Sequence, residues 1–277
     1  MTNLSQFIAE TAGIFQSVGI ESFQADAETL IGLSLGFSRG ELQAKAFLGD
    51  AFEPASELQD WIARRAKREP LQHITGVAHF RNLTLAVGPG VFIPRPETES
   101  VVTIALDYLA GISDPKVVDI GTGSGAIAIA IATEAGIEVD AIELSEAAAR
   151  FTEQNIFSHG ASVNLFVGDF REIDLEFGHY DLVVSNPPYI PLSAVPIDPE
   201  VRDFDPELAL YGGEDGLDLI REIIDQAQLL LRPGGMLLLE HADGQSDLVC
   251  QLLLANWQTV RAHPDSTGRL RAASAVR

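Results

Sequence analysis

Between Lys116 and Glu240 the apolar residues fall into short runs separated by longer stretches with helical spacing. The runs Lys116–Ile120, Ile137–Ile142, Val163–Val167, Asp181–Ser185 and Met236–Glu240 predict five strands with helices between them. Such alternation predicts an α/β domain with a mostly parallel sheet, because each parallel crossover lays a helix on one face of the sheet. Segments around Val260 and over Leu270–Ala275 predict an antiparallel pair at the end. The first part of the chain has a different period. Leu4, Phe7, Ile8, Ile14, Phe15 and Val18 share one helical face, and Leu30, Ile31 and Leu35 mark a second helix. Ser38 followed by Glu41 reads as a capping box opening a third, and Leu58, Ile62 and Ala66 mark a fourth. Phe80, Leu83, Leu85 and Val87 alternate as in a β-hairpin, ahead of the proline-stiffened segment Phe92–Pro96. The expected organisation is a helical bundle over residues 1–70, a hairpin connector over 71–96 and an α/β domain over 97–277.

In open α/β sheets the ligand crevice lies at the carboxyl ends of the strands, and the polar residues of this chain gather at those ends. The first strand runs through Asp119 into Gly121-Thr122-Gly123-Ser124-Gly125 and an alanine- and isoleucine-rich helix. Glycines at alternate positions let backbone approach a ligand where a Cβ would collide, and the helix start behind them offers unpaired N–H groups. The second strand ends in Glu143, an acid suited to accepting both hydroxyls of a ribose. The third leads into Gly168-Asp169-Phe170, a carboxylate and a ring that could hold a purine. The fourth ends in Asn186-Pro187-Pro188-Tyr189. Two prolines can neither extend a ladder nor enter a helix interior, so the chain must leave this strand in one direction. The Asn186 carboxamide oxygen and a nearby carbonyl can then accept two hydrogen bonds from a planar NH2 group, with Tyr189 as a flat face beside it. Glutamine, asparagine, adenine and cytosine carry such a group.

The glycine loop also satisfies the G-x-G-x-x-G/A dinucleotide pattern, so a nicotinamide enzyme is the first rival. Asp119 at the entry of the loop would repel a pyrophosphate, and hydride transfer has no use for Asn-Pro-Pro-Tyr. S-adenosylmethionine, which has no phosphate and carries a sulfonium and an ammonium, fits the acid better.

Further motifs extend the likeness along nearly the whole chain: Glu69-Pro70-Leu71-Gln72-His73-Ile74-Thr75-Gly76, Phe92-Ile93-Pro94-Arg95-Pro96-Glu97-Thr98-Glu99, Glu200-Val201-Arg202, and Leu208 to Leu217 with its Tyr211-Gly212-Gly213-Glu214-Asp215-Gly216 core. In this order they resemble the protein-glutamine methyltransferases that modify class 1 peptide-chain release factors. One departure is Glu240-His241-Ala242, where glycine often follows the histidine. The resemblance implies a Rossmann-like class I methyltransferase domain with a seven-stranded, mostly parallel sheet. It implies S-adenosylmethionine held by Asp119, Gly121, Thr122, Gly123, Gly125, Glu143, Asp169, Phe170 and Asn186, and a substrate glutamine held by Asn186, Pro187, Pro188 and Tyr189. Asn186 and Pro187 would orient the amide for methylation at N5, and a class 1 release factor would be the protein partner, recognised by the N-terminal bundle. Segment 92–96 would border the entrance, while Arg95, Glu97 and Glu99 could equally cap the following helix. An adenine-N6 nucleic acid methyltransferase is the alternative, because an exocyclic amine poses the same geometric problem. A scaffold without cofactor is a third possibility, disfavoured by the full set of site residues.

Net charge sharpens the choice. The formal charge is −22, and most of the excess lies in residues 106–277, the part with the candidate site. Nucleic acid affinity normally comes from Lys and Arg neutralising phosphates, so this balance argues against a direct nucleic acid partner. The one dense basic stretch, Arg64-Arg65-Ala66-Lys67-Arg68, falls at a helix end, where solvated cations offset the helix dipole. A single cysteine, Cys250, permits no intrachain disulfide and reads as a buried apolar thiol. Cysteine and six dispersed histidines give no metal-ligand spacing, so no metal is expected. No apolar run reaches membrane-spanning length and no export signal opens the chain, so a cytoplasmic monomer is expected.

Overall fold

The computed structural model describes residues 2–277 and divides into two compact units. One runs up to Gly76 and also takes in Pro196–Phe204. The other holds Val77–Val195 and Asp205–Arg277.

The first unit contains β1 (Thr2–Asn3), α1 (Leu4–Ser17), α2 (Phe23–Leu35), α3 (Arg39–Leu48), β2 (Ala51–Phe52), α4 (Ser56–Ala66) and α5 (Leu71–Thr75). Local chemistry sets several helix starts. Asn3 caps α1 by accepting from the Gln6 amide, and Ser38 with Glu41 forms the expected reciprocal box at α3. Leu4, Ile8, Phe15, Leu30, Ile31, Leu42 and Leu58 turn inward as a common core, each side chain contributing about 1.5–3 kcal/mol by leaving water.

The basic stretch at the end of α4 departs from the expected solvated role. Arg65 is only 3% exposed and donates to Asp26 at 2.7 Å and to Glu200 at 2.8 Å. Arg68 pairs with Asp198 and Glu200, and Arg64 with Glu69. These cations are consumed inside the unit, where two of them hold the Pro196–Phe204 segment. Burial of a guanidinium requires partners of opposite charge, and Asp26 lies on α2, far from Arg65 in sequence.

In the second unit β3 (Val77–Phe80) and β4 (Leu83–Ala86) form the hairpin. A 3₁₀ turn at Pro96–Thr98 leads into α6 (Glu99–Leu109), and the chain continues through β5 (Val117–Ile120), α7 (Ala126–Ala135), β6 (Val139–Glu143), α8 (Glu146–His159), β7 (Val163–Val167) and β8 (Tyr180–Ser185). After the excursion that carries α9 (Pro199–Phe204) come α10 (Asp218–Leu230), β9 (Leu231–Glu240), α11 (Ser246–Leu254), β10 (Gln258–Pro264) and β11 (Leu270–Val276). The sheet is seven-stranded, ordered β10-β11-β9-β8-β5-β6-β7. β5 through β9 run parallel, and β11 is antiparallel to both β9 and β10. β9 begins earlier than its apolar run suggests, because Leu231 pairs with Tyr180 ahead of a register shift.

Helices cover both faces. α6 and α7 pack on one face with the hairpin, and α10 and α11 on the other. Ala126 through Ala132 of α7 are all buried, as an all-round apolar helix must be. β5 lies centrally, and the chain winds outward from it to β6 and β7 on one side and to β8 and β9 on the other. In open α/β sheets such a reversal is where ligands bind, at the carboxyl ends of the flanking strands, here β5 and β8. Among the described residues no helix is long and apolar enough to cross a membrane.

Candidate functional site

At the end of β5 the loop folds back onto β6. The Gly121 and Thr122 amides both donate to the Ile142 carbonyl, and the Gly123 amide donates to Glu143 Oε2 at 2.8 Å. Gly121 and Gly123 have positive φ (73° and 61°), and a Cβ on either would meet open space, so this backbone faces an unfilled region. Gly125 is required for a different reason: at φ 84° a Cβ there would stand 2.8 Å from Ile129 Cδ1. From α8, Thr152 donates to the Gly123 carbonyl at 2.6 Å. Asn155 donates to the Ser124 carbonyl and makes a two-way bond with the backbone of Ala86, tying the loop to the hairpin. Neither residue belongs to a sequence motif; only the polar positions on an otherwise ordinary helix face could have signalled them.

Glu143, at the end of β6, is nearly buried. Its oxygens accept from the Gly123 and Ser145 amides, each at 2.8 Å, which leaves further lone pairs for a ligand hydroxyl. Burial raises its carboxyl above the ordinary range. Asp119 is placed differently from the expected ligand-facing acid. It is fully enclosed, and Oδ2 accepts from the Thr122 hydroxyl at 2.6 Å. Loss of water pushes its carboxyl up to about 7. Asp169 is gripped by Arg171, whose guanidinium and backbone amide both donate to it and hold its carboxyl below the ordinary range. The Phe170 ring is buried in the sheet-face core, with the Arg171 guanidinium 5.7 Å from its centre.

At the end of β8 the ladder with β5 stops at Asp119 opposite Val184. Ser185 extends the join by a side chain, its hydroxyl donating to the Ile120 carbonyl at 2.6 Å. Asn186 follows, partly exposed, with Nδ2 3.3 Å from Thr98 Oγ1. Among the described residues nothing donates to Asn186 Oδ1 or to the Pro187 carbonyl. The residues beyond are clamped. The Tyr189 carbonyl accepts from Gln245 Nε2 at 3.0 Å, the Ile190 amide donates to Leu210, and the Ile190 carbonyl accepts from Gly212. Gly212 is needed here because a Cβ would stand 2.4 Å from the Pro188 carbonyl oxygen, and at Gly216 one would stand 2.3 Å from that of Tyr189. The Tyr211–Leu217 motif thus supports the turn from behind. Burial raises the Tyr189 phenol above its ordinary range.

Two further expectations change. Arg95 does not cap α6: it pairs with Asp205 at 2.6 Å, while Glu99 accepts from the Arg81 amide. Cys250 is partly rather than fully buried. Thr98, Glu240 and Gln245, to none of which the sequence assigns a site role, flank the Asn186 turn: Thr98 accepts from Asn186, Gln245 donates to the Tyr189 carbonyl, and Glu240 follows Leu239, the partner of Ser185.

Comparisons with known proteins agree with this architecture. Residues 6–76 match the PrmC N-terminal domain family, and residues 82–195 the methyltransferase small domain family. A release factor glutamine methyltransferase of Streptomyces coelicolor is 47% identical, covering 97% of this chain and 96% of its own length. One of Mycolicibacterium smegmatis is 42% identical, covering 100% and 99%. A crystal structure of a methyltransferase from Pyrococcus furiosus superposes with a TM-score of 0.53 at 18% identity, covering 80% of this chain and 98% of that one, and shares the fold. With such relatives along nearly its whole length, the chain belongs to the family of release factor glutamine methyltransferases.

Proposed function

We propose that the protein transfers a methyl group from S-adenosylmethionine to the side-chain amide nitrogen, N5, of the glutamine in the Gly-Gly-Gln loop of class 1 peptide-chain release factors, acting in the cytoplasm as a monomer. The observation that carries this reading is the state of the Asn186 turn. Asn186 Oδ1 and the Pro187 carbonyl are two acceptors without a partner among the described residues, on a segment whose flanks are fixed by Gln245, Leu210 and Gly212.

The residues around the glycine loop fit the methyl donor. The open space in front of Gly121 and Gly123 admits close approach, and Glu143 keeps lone pairs for ribose hydroxyls. Thr122, Gly125, Asp169 and Phe170 complete the proposed cofactor surface. Asp119 serves by holding Thr122, and so the loop, rather than by meeting the ligand charge. When bound, S-adenosylmethionine supplies an electrophilic methyl on a sulfonium.

The protein's task is to present the amide nitrogen, a weak nucleophile whose lone pair is shared with its carbonyl. Asn186 Oδ1 and the Pro187 carbonyl would each accept one N–H of the glutamine NH2 and fix its plane, while Pro188 and Tyr189 pack beside it. Acceleration comes from alignment and exclusion of water, and the proton leaves after transfer without a strong base. The N-terminal unit is proposed to recognise the protein substrate.

Transfer of labelled methyl to a purified release factor, beside one whose Gly-Gly-Gln glutamine is replaced and beside an oligonucleotide, tests the reading. Label on the intact factor alone is expected; label on the oligonucleotide would overturn it.

A further inference from the structure

Helix α8 carries two buried polar side chains, Thr152 and Asn155, on the face that meets the glycine loop and the hairpin. Asn155 is 1% exposed, and each of its polar atoms is used: Oδ1 accepts from the Ala86 amide at 2.7 Å, and Nδ2 donates to the carbonyls of Ala86 at 3.0 Å and of Ser124 at 2.9 Å. The carboxamide thereby stands beside β4 where a peptide group of a further strand would stand. His159, a turn further along α8, approaches the Thr84 carbonyl at 3.0 Å, so the helix closes the free edge of β4 at two points. Thr152 is fully enclosed. Its hydroxyl has the Ala148 carbonyl of its own helix at 3.2 Å but lies closer to the Gly123 carbonyl, at 2.6 Å. Burying a hydroxyl and an amide is costly unless their bonds are made, and apolar side chains would fill this helix face without that cost.

We infer that Thr152 and Asn155 are positioning residues for S-adenosylmethionine, holding the glycine loop from behind in the form that receives the cofactor. The inference rests on the reading of that loop as the cofactor site. Glycine gives the loop its close approach and also its freedom: without a Cβ, the peptide planes on either side of Gly123 can rotate at little cost. Bonds must therefore fix what side chains do not. Toward β6 the amides of Gly121, Thr122 and Gly123 are held by Ile142 and Glu143. Toward α8 the carbonyls of Gly123 and Ser124 are held by Thr152 and Asn155. A peptide group is planar and rigid, so fixing its carbonyl fixes its N–H as well. Thr152 thus sets the direction of the Ser124 amide, and Asn155 that of the Gly125 amide, which closes the turn onto the Thr122 carbonyl at 2.9 Å. A loop that loses one of these donors spends part of its time in other forms, and its apparent affinity falls with the fraction left in the competent one. Because one carboxamide holds both Ala86 and Ser124, the hairpin and the cofactor loop share an anchor.

The test uses the full-length protein, measuring S-adenosylmethionine affinity by titration calorimetry, kcat and KM for the cofactor with a purified release factor, and melting temperature. Thr152→Val keeps size and removes the hydroxyl, whereas Thr152→Ser keeps the hydroxyl. Asn155→Leu keeps size and removes all three bonds. Thr152→Val and Asn155→Leu should each weaken cofactor binding and raise its KM about tenfold, as for a loop competent about a tenth of the time. At saturating cofactor, kcat should stay within about twofold of wild type, because bound cofactor selects the competent form. Thr152→Ser should bind within about threefold of wild type. Unchanged cofactor affinity beside a lowered melting temperature would make the two residues supports of the fold alone and overturn the inference. So would a Thr152→Ser protein that binds as weakly as Thr152→Val, or a loss of kcat with KM unchanged. The Thr152 pair decides the question by itself if Asn155→Leu does not fold. Wild-type protein that binds no S-adenosylmethionine would instead withdraw the reading of the loop, and the inference with it.

Discussion

Arg65 reaches Glu200, 135 residues further along the chain, with Nη1 2.8 Å from Oε1, while its Nε holds Asp26 at 2.7 Å. One buried guanidinium thus joins a helix near the start of the chain to a segment that, in sequence, interrupts the α/β domain.

Arg65→Met should therefore destabilise the first unit by about 3 kcal/mol, since removing one member of a buried ion pair leaves the others unpaired. Urea denaturation followed by far-ultraviolet circular dichroism would measure it. A midpoint equal to wild type would mean that Asp26 and Glu200 find water or other donors instead.

Gly212→Ala introduces a Cβ 2.4 Å from the Pro188 carbonyl oxygen and must push the turn that carries Asn186 and Pro187. Displacement of aligned groups by about an ångström costs on the order of a hundredfold in rate. The expected phenotype is a kcat loss of that size with cofactor affinity retained, read from steady-state kinetics beside calorimetry.

Glu143→Gln leaves one of the Gly123 and Ser145 amides facing an NH2 group and removes an acceptor for ribose. S-adenosylmethionine should bind about tenfold more weakly. An unaltered titration curve would withdraw Glu143 from the ribose role.

Asp119 gives a pH-dependent prediction. Its carboxyl is raised from 3.8 to about 7 in the folded protein, so the folded state holds the proton more tightly than the unfolded chain. The associated stability is full below the unfolded value and is lost as pH rises through about 7. Asp119→Asn keeps an acceptor for Thr122 and cannot ionise. Its melting temperature should exceed that of wild type at about pH 8, and the advantage should shrink toward about pH 5. An advantage that does not change with pH would mean that Asp119 ionises without penalty.

Local patterns made the elements legible and left their long-range partners hidden. The Ser38–Glu41 box, the hairpin around Phe80–Val87 and the strands of the parallel sheet rest on neighbours within a few residues, and each forms, with bounds that shift by a few residues, most at β9, which starts at Leu231. The fate of Arg65 could not be read this way, because Asp26 and Glu200 are brought to it only by packing. Motifs likewise name residue types but not the way they face. Asp119 stands at the predicted strand end, yet β6 and β8 flank it and Thr122 closes over it. The Asn186 turn was legible because two prolines leave the backbone little choice; its supports, Thr98, Gln245 and Gly212, come from three separate parts of the chain.

The central position of β5 also governs when this site can exist during folding. Val117–Asp119 pair with Leu182–Val184, a contact closing a long loop, and the glycine turn and the Asn186 turn emerge from opposite partners of that pairing. Such non-local pairing must bear its loop-closure entropy before any contact repays it. The two turns can therefore meet only after β8 has docked beside β5. Before that step the site is not assembled, so protection of the β5 and β8 amides from hydrogen exchange should rise together with activity on refolding.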